Sequence, residues 1–288
     1  MPGVMASAEW RAAREAYRAR MRPRAEDRLK RTSRHEKHPV HDFLFEYYSF
    51  RPSHLMRWSP GWGVRLDGAA RDDIEWPEFE ADDGLILHAS AFPRQRIGYL
   101  EWAVQHLEAT LIREPNFACF GLHEWAMVYR DPNVRHPYVP LRLPRAEIDA
   151  FVESQSLRCT HYDAFRFFTK EAAPRNRVEL TRSIATEHEQ PGCIHANMDL
   201  YRFAYKIAPF GPSELLADAF GLADAARAVD MRASPYDLAA FGFPAIPIET
   251  REGREEYVEE QRRIAERAAP IRERMLVTYE RLWKEVTA

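Results

Sequence analysis

A mainly α chain, one large helical domain with little or no β-sheet, is what three features of the sequence predict. Over residues 97–111 the apolar side chains Ile97, Leu100, Val104, Leu107 and Leu111 recur at steps of three and four, the spacing of one helix face. Residues 257–286 repeat that spacing with Ile264, Ala268, Ile271, Met275, Tyr279, Leu282 and Val286. Only 64–66 and 85–88 read as strands. No internal repeat or low-complexity stretch divides the 288 residues, of which 45% are hydrophobic, so one core of good size is expected. Within it we expect a basic arm over 1–37, a helical core over 38–250 and a C-terminal amphipathic helix over 251–288 packed on that core.

Taken in order, residues 8–21 place Trp10, Ala13, Tyr17 and Met21 on one helix face, and Pro23 then opens a charged connector to Lys37. This arm holds eleven Lys and Arg against five Asp and Glu, about +6, whereas the whole chain carries −3. It is read as a solvated helix that can also contact phosphate. The segment 38–48 follows, with Pro39 at the first helical position, His38, Asp42 and His41 or Glu46 on neighbouring faces, and Phe43, Leu44, Tyr47 and Tyr48 inward. A core helix with a polar start explains it equally. Prolines 52 and 60 with glycines 61 and 63 then enforce turns around Trp58 and Trp62, flat side chains that close a core or stack on a base. The loop between the two strands is acidic, from Asp72 to Asp83.

Residues 116–129 read as a buried helix in which His123 and Glu124 need partners. After a proline-punctuated connector, 146–154 is a short helix, and 158–168 sets His161 and Asp163 among aromatics. Pro191 and Gly192 break the chain before a helix that aligns His195, Asp199, Arg202 and Lys206 on one face. A further helix runs 213–228, capped by Ser213, with Asp230 and Arg232 just past its end. Ser234, Pro235 and Asp237 then have the form of a capping box. Pro270 is expected to kink or split the last helix.

Several chemistries are excluded. No nucleophile elbow, phosphate-binding loop, dinucleotide turn or paired-histidine zinc helix occurs. The Glu-x-x-His pair of di-iron bundles is missing. Cys119, Cys159 and Cys193 form no C-x-x-C pair, which points to a reducing compartment. With no apolar run of 18 residues and no secretory signal, a cytoplasmic protein without a membrane partner is expected. What remains is a set of imidazoles and carboxylates in apolar surroundings: His38 with Asp42, His123 with Glu124, His161 with Asp163, His195 with Asp199. Such groups work as acid and base, converge on a divalent metal, or simply pair.

The segments beginning at His38 (HPVHDFLFEYY), Gln190 (QPGCIHANMDLY) and Asp230 (DMRASPYD) resemble those of a group of actinobacterial proteins labelled 3-methyladenine DNA glycosylase. The resemblance covers nearly the whole chain and implies cleavage of the bond between an alkylated purine and deoxyribose, with no cofactor. On that reading Asp199 or Asp230 is the carboxylate, His195 its partner, with Glu124 beside them. His38, Asp42, Tyr47, Tyr48 and Trp58 shape the pocket, Arg232 meets phosphate, and DNA docks through the arm. No glycine-rich helix-hairpin-helix segment accompanies it. The alternative is an oxygenase or hydrolase of a small molecule, holding iron, zinc or manganese with His195 and Asp199 plus His123, Glu124 or His161. A third class, a scaffold docking through its two terminal helices, has no shared pocket. The first two require His38, His123, His195 and Asp230 to meet.

Overall fold

The computed structural model describes residues 3–288. They form a mainly α domain of eleven helices with one small sheet. The helices are α1 (Ser7–Ser33), α2 (Phe43–Tyr47), α3 (Pro52–Leu55), α4 (Ile97–Leu111), α5 (Leu122–Ala126), α6 (Arg145–Ser154), α7 (Tyr162–Phe165), α8 (Ala185–His188), α9 (Ile194–Ile207), α10 (Ser213–Arg232) and α11 (Arg251–Thr287). The strands β1 (Gly3–Met5), β2 (Val64–Leu66), β3 (Glu80–Ala81) and β4 (Leu85–Ile86) lie in the order β1-β2-β4-β3. β1 runs parallel to β2, with Gly3 opposite Val64, and the other pairs are antiparallel. Arg65 faces Ile86 across the second pair, and Leu66 and Leu85 of the sheet are buried in the core.

The core is built where α9 and α10 pack together, with α11 laid across both and α4 behind it. α11 buries Ile264, Ala268, Met275, Tyr279 and Leu282, the residues its spacing selects. Each large apolar side chain contributes on the order of 1.5–3 kcal/mol. Polar ties fix its position: Tyr279 Oη donates to Phe203 O at 2.9 Å, and Gln261 Nε2 donates to Gly192 O at 2.7 Å. Pro270 does not split α11. A proline inside a helix costs about 3 kcal/mol, and the buried neighbours Ala268 and Ile271 offset it.

α1 also passes through its proline, Pro23, and continues to Ser33. The arm is a docked helix with little free charge. Seven of the eight arginines of α1 pair with acidic residues elsewhere in the fold: Arg11 and Arg14 with Asp73, Arg18 with Glu75, Arg20 with Asp218, Arg24 with Asp224, and Arg28 and Arg31 with Asp42. Charge that the sequence leaves available for phosphate is thus engaged within the chain. The acidic loop after β2 is one of its docking partners.

Three other expectations are corrected. The helix expected over 116–129 shrinks to α5, because Phe120 and Gly121 both take left-handed backbone just before it and Arg130 does so after it. α10 extends four residues beyond 228, so Asp230 and Arg232 lie inside it; the helix begins after Pro212, and the Ser213 hydroxyl instead accepts from Ser59 N at 2.8 Å. Ser234 caps no helix: its hydroxyl donates back to Met231 O at 2.6 Å, and a turn follows.

Candidate functional site

α5, α9 and α10 each deliver ionisable side chains to one dry region. His123 and Glu124 come from α5, His195 from α9, Arg227 and Asp230 from α10, and none is more than 6% exposed. Arg227 and Asp230 are three apart on α10, so one turn of helix places both on the same face. His123 Nε2 lies 2.5 Å from Asp230 Oδ1. Arg227 Nη1 donates to Glu124 Oε1 at 2.6 Å and to Asp230 Oδ2 at 2.7 Å. Two cations thus balance two carboxylates.

Burial would strip the proton from His123, but the Asp230 carboxylate outweighs it and holds the imidazole well above its ordinary value. Burial likewise opposes ionisation of Asp230, and the charge on His123 pulls it below the usual carboxylate range nonetheless. Glu124 is raised by burial and by Asp230, against the pull of Arg227. His195 is pushed well below its ordinary value by burial and by the neighbouring His123. It is the neutral imidazole of the group. Its Nε2 stands 4.0 Å from Asp230 Oδ2, and among the described residues its ring makes no hydrogen bond.

His195 and Glu124 line a cavity of about 280 Å³. Its walls are aromatic: Phe43 stacks on Tyr47 at 5.0 Å between ring centroids, and Phe167 lies on the same wall as Asp163. The Arg227 guanidinium lies 3.9 Å over Phe43, fixing both. Near the mouth, Arg135 and Arg166 stack on Phe167 at 4.1 and 3.9 Å.

A second polar group adjoins the first. The His161 ring stacks on His195 with centroids 5.4 Å apart, and His161 Nδ1 is 2.6 Å from Glu189 Oε2. Asp199 accepts from Tyr48 Oη at 2.8 Å and lies 2.5 Å from Arg202 Nη2, while Arg202 Nη1 donates to Asp163 at 2.8 Å. His161 and Glu189 line another cavity, of about 430 Å³, which reaches Trp102, His106, Arg202 and Lys206. Asp163 borders both cavities.

The residues singled out from sequence therefore divide. His195, Glu124 and Tyr47 face the first cavity; His123 and Asp230 lie outside its lining and bond to each other, and Asp199, one turn along α9 from His195, is held by Tyr48. His161 faces the second cavity. His38 does not join them. It stacks on His41 at 4.3 Å and against Phe241, because Asp42 Oδ2 accepts from its backbone N and turns the segment outward. Asp42 is occupied by Arg28 and Arg31. Trp58 is a core side chain whose Nε1 donates to Glu214, and Arg232 lies outside the cavities, bonded to Glu256 and Pro244 O.

Sequence reasoning missed Arg227, His136, Glu189 and His106. A lone arginine in the alanine-rich stretch of α10 was a usable signal, since an unpaired cation on an apolar helix face demands partners. No local signal marks Glu189, whose partner His161 lies 28 positions away.

Three groups of side chains bring possible metal ligands within 4.8 Å of one another: His123 with His195 and Asp230, His161 with Glu189 and Cys193, and His161 with Asp163 and Asp199. No helix among the described residues is long and apolar enough to cross a membrane. No protein-family profile, curated relative or solved structure matches the chain.

Proposed function

We propose that the chain is a hydrolase working by acid–base catalysis in the 280 Å³ cavity, and within that class an N-glycosylase that removes an alkylated purine. One observation carries the reading: His195, with no hydrogen bond on its ring, shares an aromatic-walled cavity with Glu124. The volume of about 280 Å³ lies just below the roughly 300–1,000 Å³ of ligand sites, small enough to suit a single base. Phe43, Tyr47 and Phe167 supply faces for stacking it. Glu124 is the carboxylate in reach of the sugar or the departing base, and His195 takes the proton of the attacking water. Asp230 and Arg227 hold those two groups in place from behind. Arg135, which lines the cavity over Phe167, is the cation for a phosphate, with Arg166 on the same ring; this moves the DNA contact away from α1.

The test is release of free base from alkylated duplex DNA, from alkylated single strands and from the corresponding nucleosides. His195→Gln and Glu124→Gln should each lower the rate about 10²–10⁴-fold, the usual share of one acid–base group. Absence of base release from all three substrates, or full activity in both variants, overturns the proposal.

A divalent metal at His123, His195 and Asp230 is the second reading, favoured by their convergence within 4.8 Å. Arg227 weighs against it, since it sits 2.7 Å from the Asp230 oxygen that such an ion would need.

A further inference from the structure

The second cavity has a different character from the first. Of the four buried carboxylates in this region, Glu124, Asp199 and Asp230 are each held by an arginine. Glu189 is not. Its Oε2 lies 2.6 Å from His161 Nδ1 and 4.0 Å from His106 Nε2, and its Oε1 is buried without any hydrogen-bond partner. Cys193 Sγ completes a group with His161 and Glu189 in which all ligand atoms fall within 4.8 Å. Between 3% and 9% of each of these four residues is exposed.

Their outer contacts follow the pattern of metal-bound imidazole, in which the far ring nitrogen is oriented by an oxygen. His106 Nδ1 lies 3.0 Å from Thr186 Oγ1. His161 Nε2 faces Asp199 Oδ2 at 3.8 Å. The loop that carries Glu189 and Cys193 is itself pinned. Arg113 donates to Thr186 O and Glu189 O, Gln190 Oε1 accepts from Gly192 N, and Gln261 Nε2 reaches Gly192 O.

We infer that His106, His161, Glu189 and Cys193 form a four-ligand binding site for Zn²⁺. Two nitrogens, one carboxylate and one thiolate are a zinc donor set, and a deprotonated thiol with Glu189 neutralises the ion. Tetrahedral bonds of about 2.0–2.3 Å put ligand atoms on the order of 3.3 Å apart. The 2.6 Å contact has to open and the 4.0 Å contact to close, each by less than 1 Å, while His106, which lies outside the 4.8 Å group of the other three, has to swing toward His161 by more than 1 Å to become the fourth ligand. Arg182, Arg202 and Lys206 stand around the same cavity, but none hydrogen-bonds to the Glu189 carboxylate. The inference goes beyond the proposed glycosylase reading and stands without it, because none of these four residues lines the first cavity.

The experiment uses the full chain, stripped of metal by a chelator, and adds Zn²⁺ or Co²⁺ alone. One equivalent should bind, raise the melting temperature and, for Co²⁺, produce a thiolate-to-metal charge-transfer band. That band should vanish in Cys193→Ser, and Thr186→Val should weaken binding about 10–100-fold. His123→Gln should bind as the parent does. The inference is overturned if the folded apo chain takes up neither ion, if the charge-transfer band survives in Cys193→Ser, or if binding is lost in His123→Gln and kept in His161→Gln. Far-UV circular dichroism of each apo variant excludes from this comparison any that fails to fold.

Discussion

His123 and Asp230 meet at 2.5 Å with no more than 2% of either side chain exposed, and Arg227 closes the group from the other side. His123 is 107 positions from Asp230 in the chain, so this contact ties α5 to α10 as well as shaping the cavity.

Removing the guanidinium from that group should be costly. Arg227→Met leaves Glu124 and Asp230 buried without their shared cation, and unfolding in urea should show a loss of about 3–5 kcal/mol. The triple variant Arg227→Met, Glu124→Gln, Asp230→Asn should lose less than Arg227→Met alone. Equal or greater loss would show that the charges do not compensate one another.

Acid should destabilise the fold through imidazoles kept neutral. His136 is pushed from 6.5 down to about 3 by burial and by Arg227, with Arg135 and Lys37 adding to it; burial and the neighbouring His41 take His38 down to about 4. Where the folded value lies below the unfolded one, the unfolded chain binds more protons as pH falls below about 6.5, so stability present above that pH is lost below it. Each such group has a limiting slope on the order of 1 kcal/mol per pH unit. His136→Gln should therefore lose less stability than the parent between pH 7 and pH 5, measured by urea midpoints. An identical drop would remove His136 from the account.

Asp42 should prove structural. At 2% exposure it accepts from the His38 backbone and pairs with Arg28 and Arg31 at 2.9 and 2.6 Å. Asp42→Asn leaves Arg31 without its carboxylate and Arg28 with Glu46 alone, and should cost about 1–3 kcal/mol in thermal or chemical unfolding, with little change in cavity chemistry. A variant as stable as the parent would contradict this.

Gly192 is fixed by space. A Cβ there would sit 2.8 Å from both Asn116 N and Asn116 O, so Gly192→Ala should cost about 1–3 kcal/mol. Gly98, in the first turn of α4 with nothing within 4 Å, is the control: Gly98→Ala should be neutral or stabilising by up to about 1 kcal/mol. The two melting curves decide it.

How much of this was legible beforehand depends on distance along the chain. α4 was readable to the residue because its apolar stripe is a local pattern, and α11 nearly so. The expected end of α10 at 228 falls short because Asp230 and Arg232 look like the end of an apolar face, whereas Asp230 is wholly buried and satisfied by His123 of α5 and Arg227 of its own helix. The convergence of His123, His195 and Asp230 was expected from their apolar surroundings, and the structure brings those three together without His38. The partners that define their chemistry, Arg227 for Glu124 and Glu189 for His161, are separated by 103 and 28 positions, and no spacing rule reaches across such gaps.

The docking of α1 also bears on how the molecule comes to be made. Arg20 and Arg24 find Asp218 and Asp224 across 198 and 200 positions, so on the ribosome the first helix emerges long before its acceptors exist. Until Asp218 and Asp224 have been added, Arg20 and Arg24 stay exposed to the polyanions around them, and the full seating of this helix is a late step in assembly.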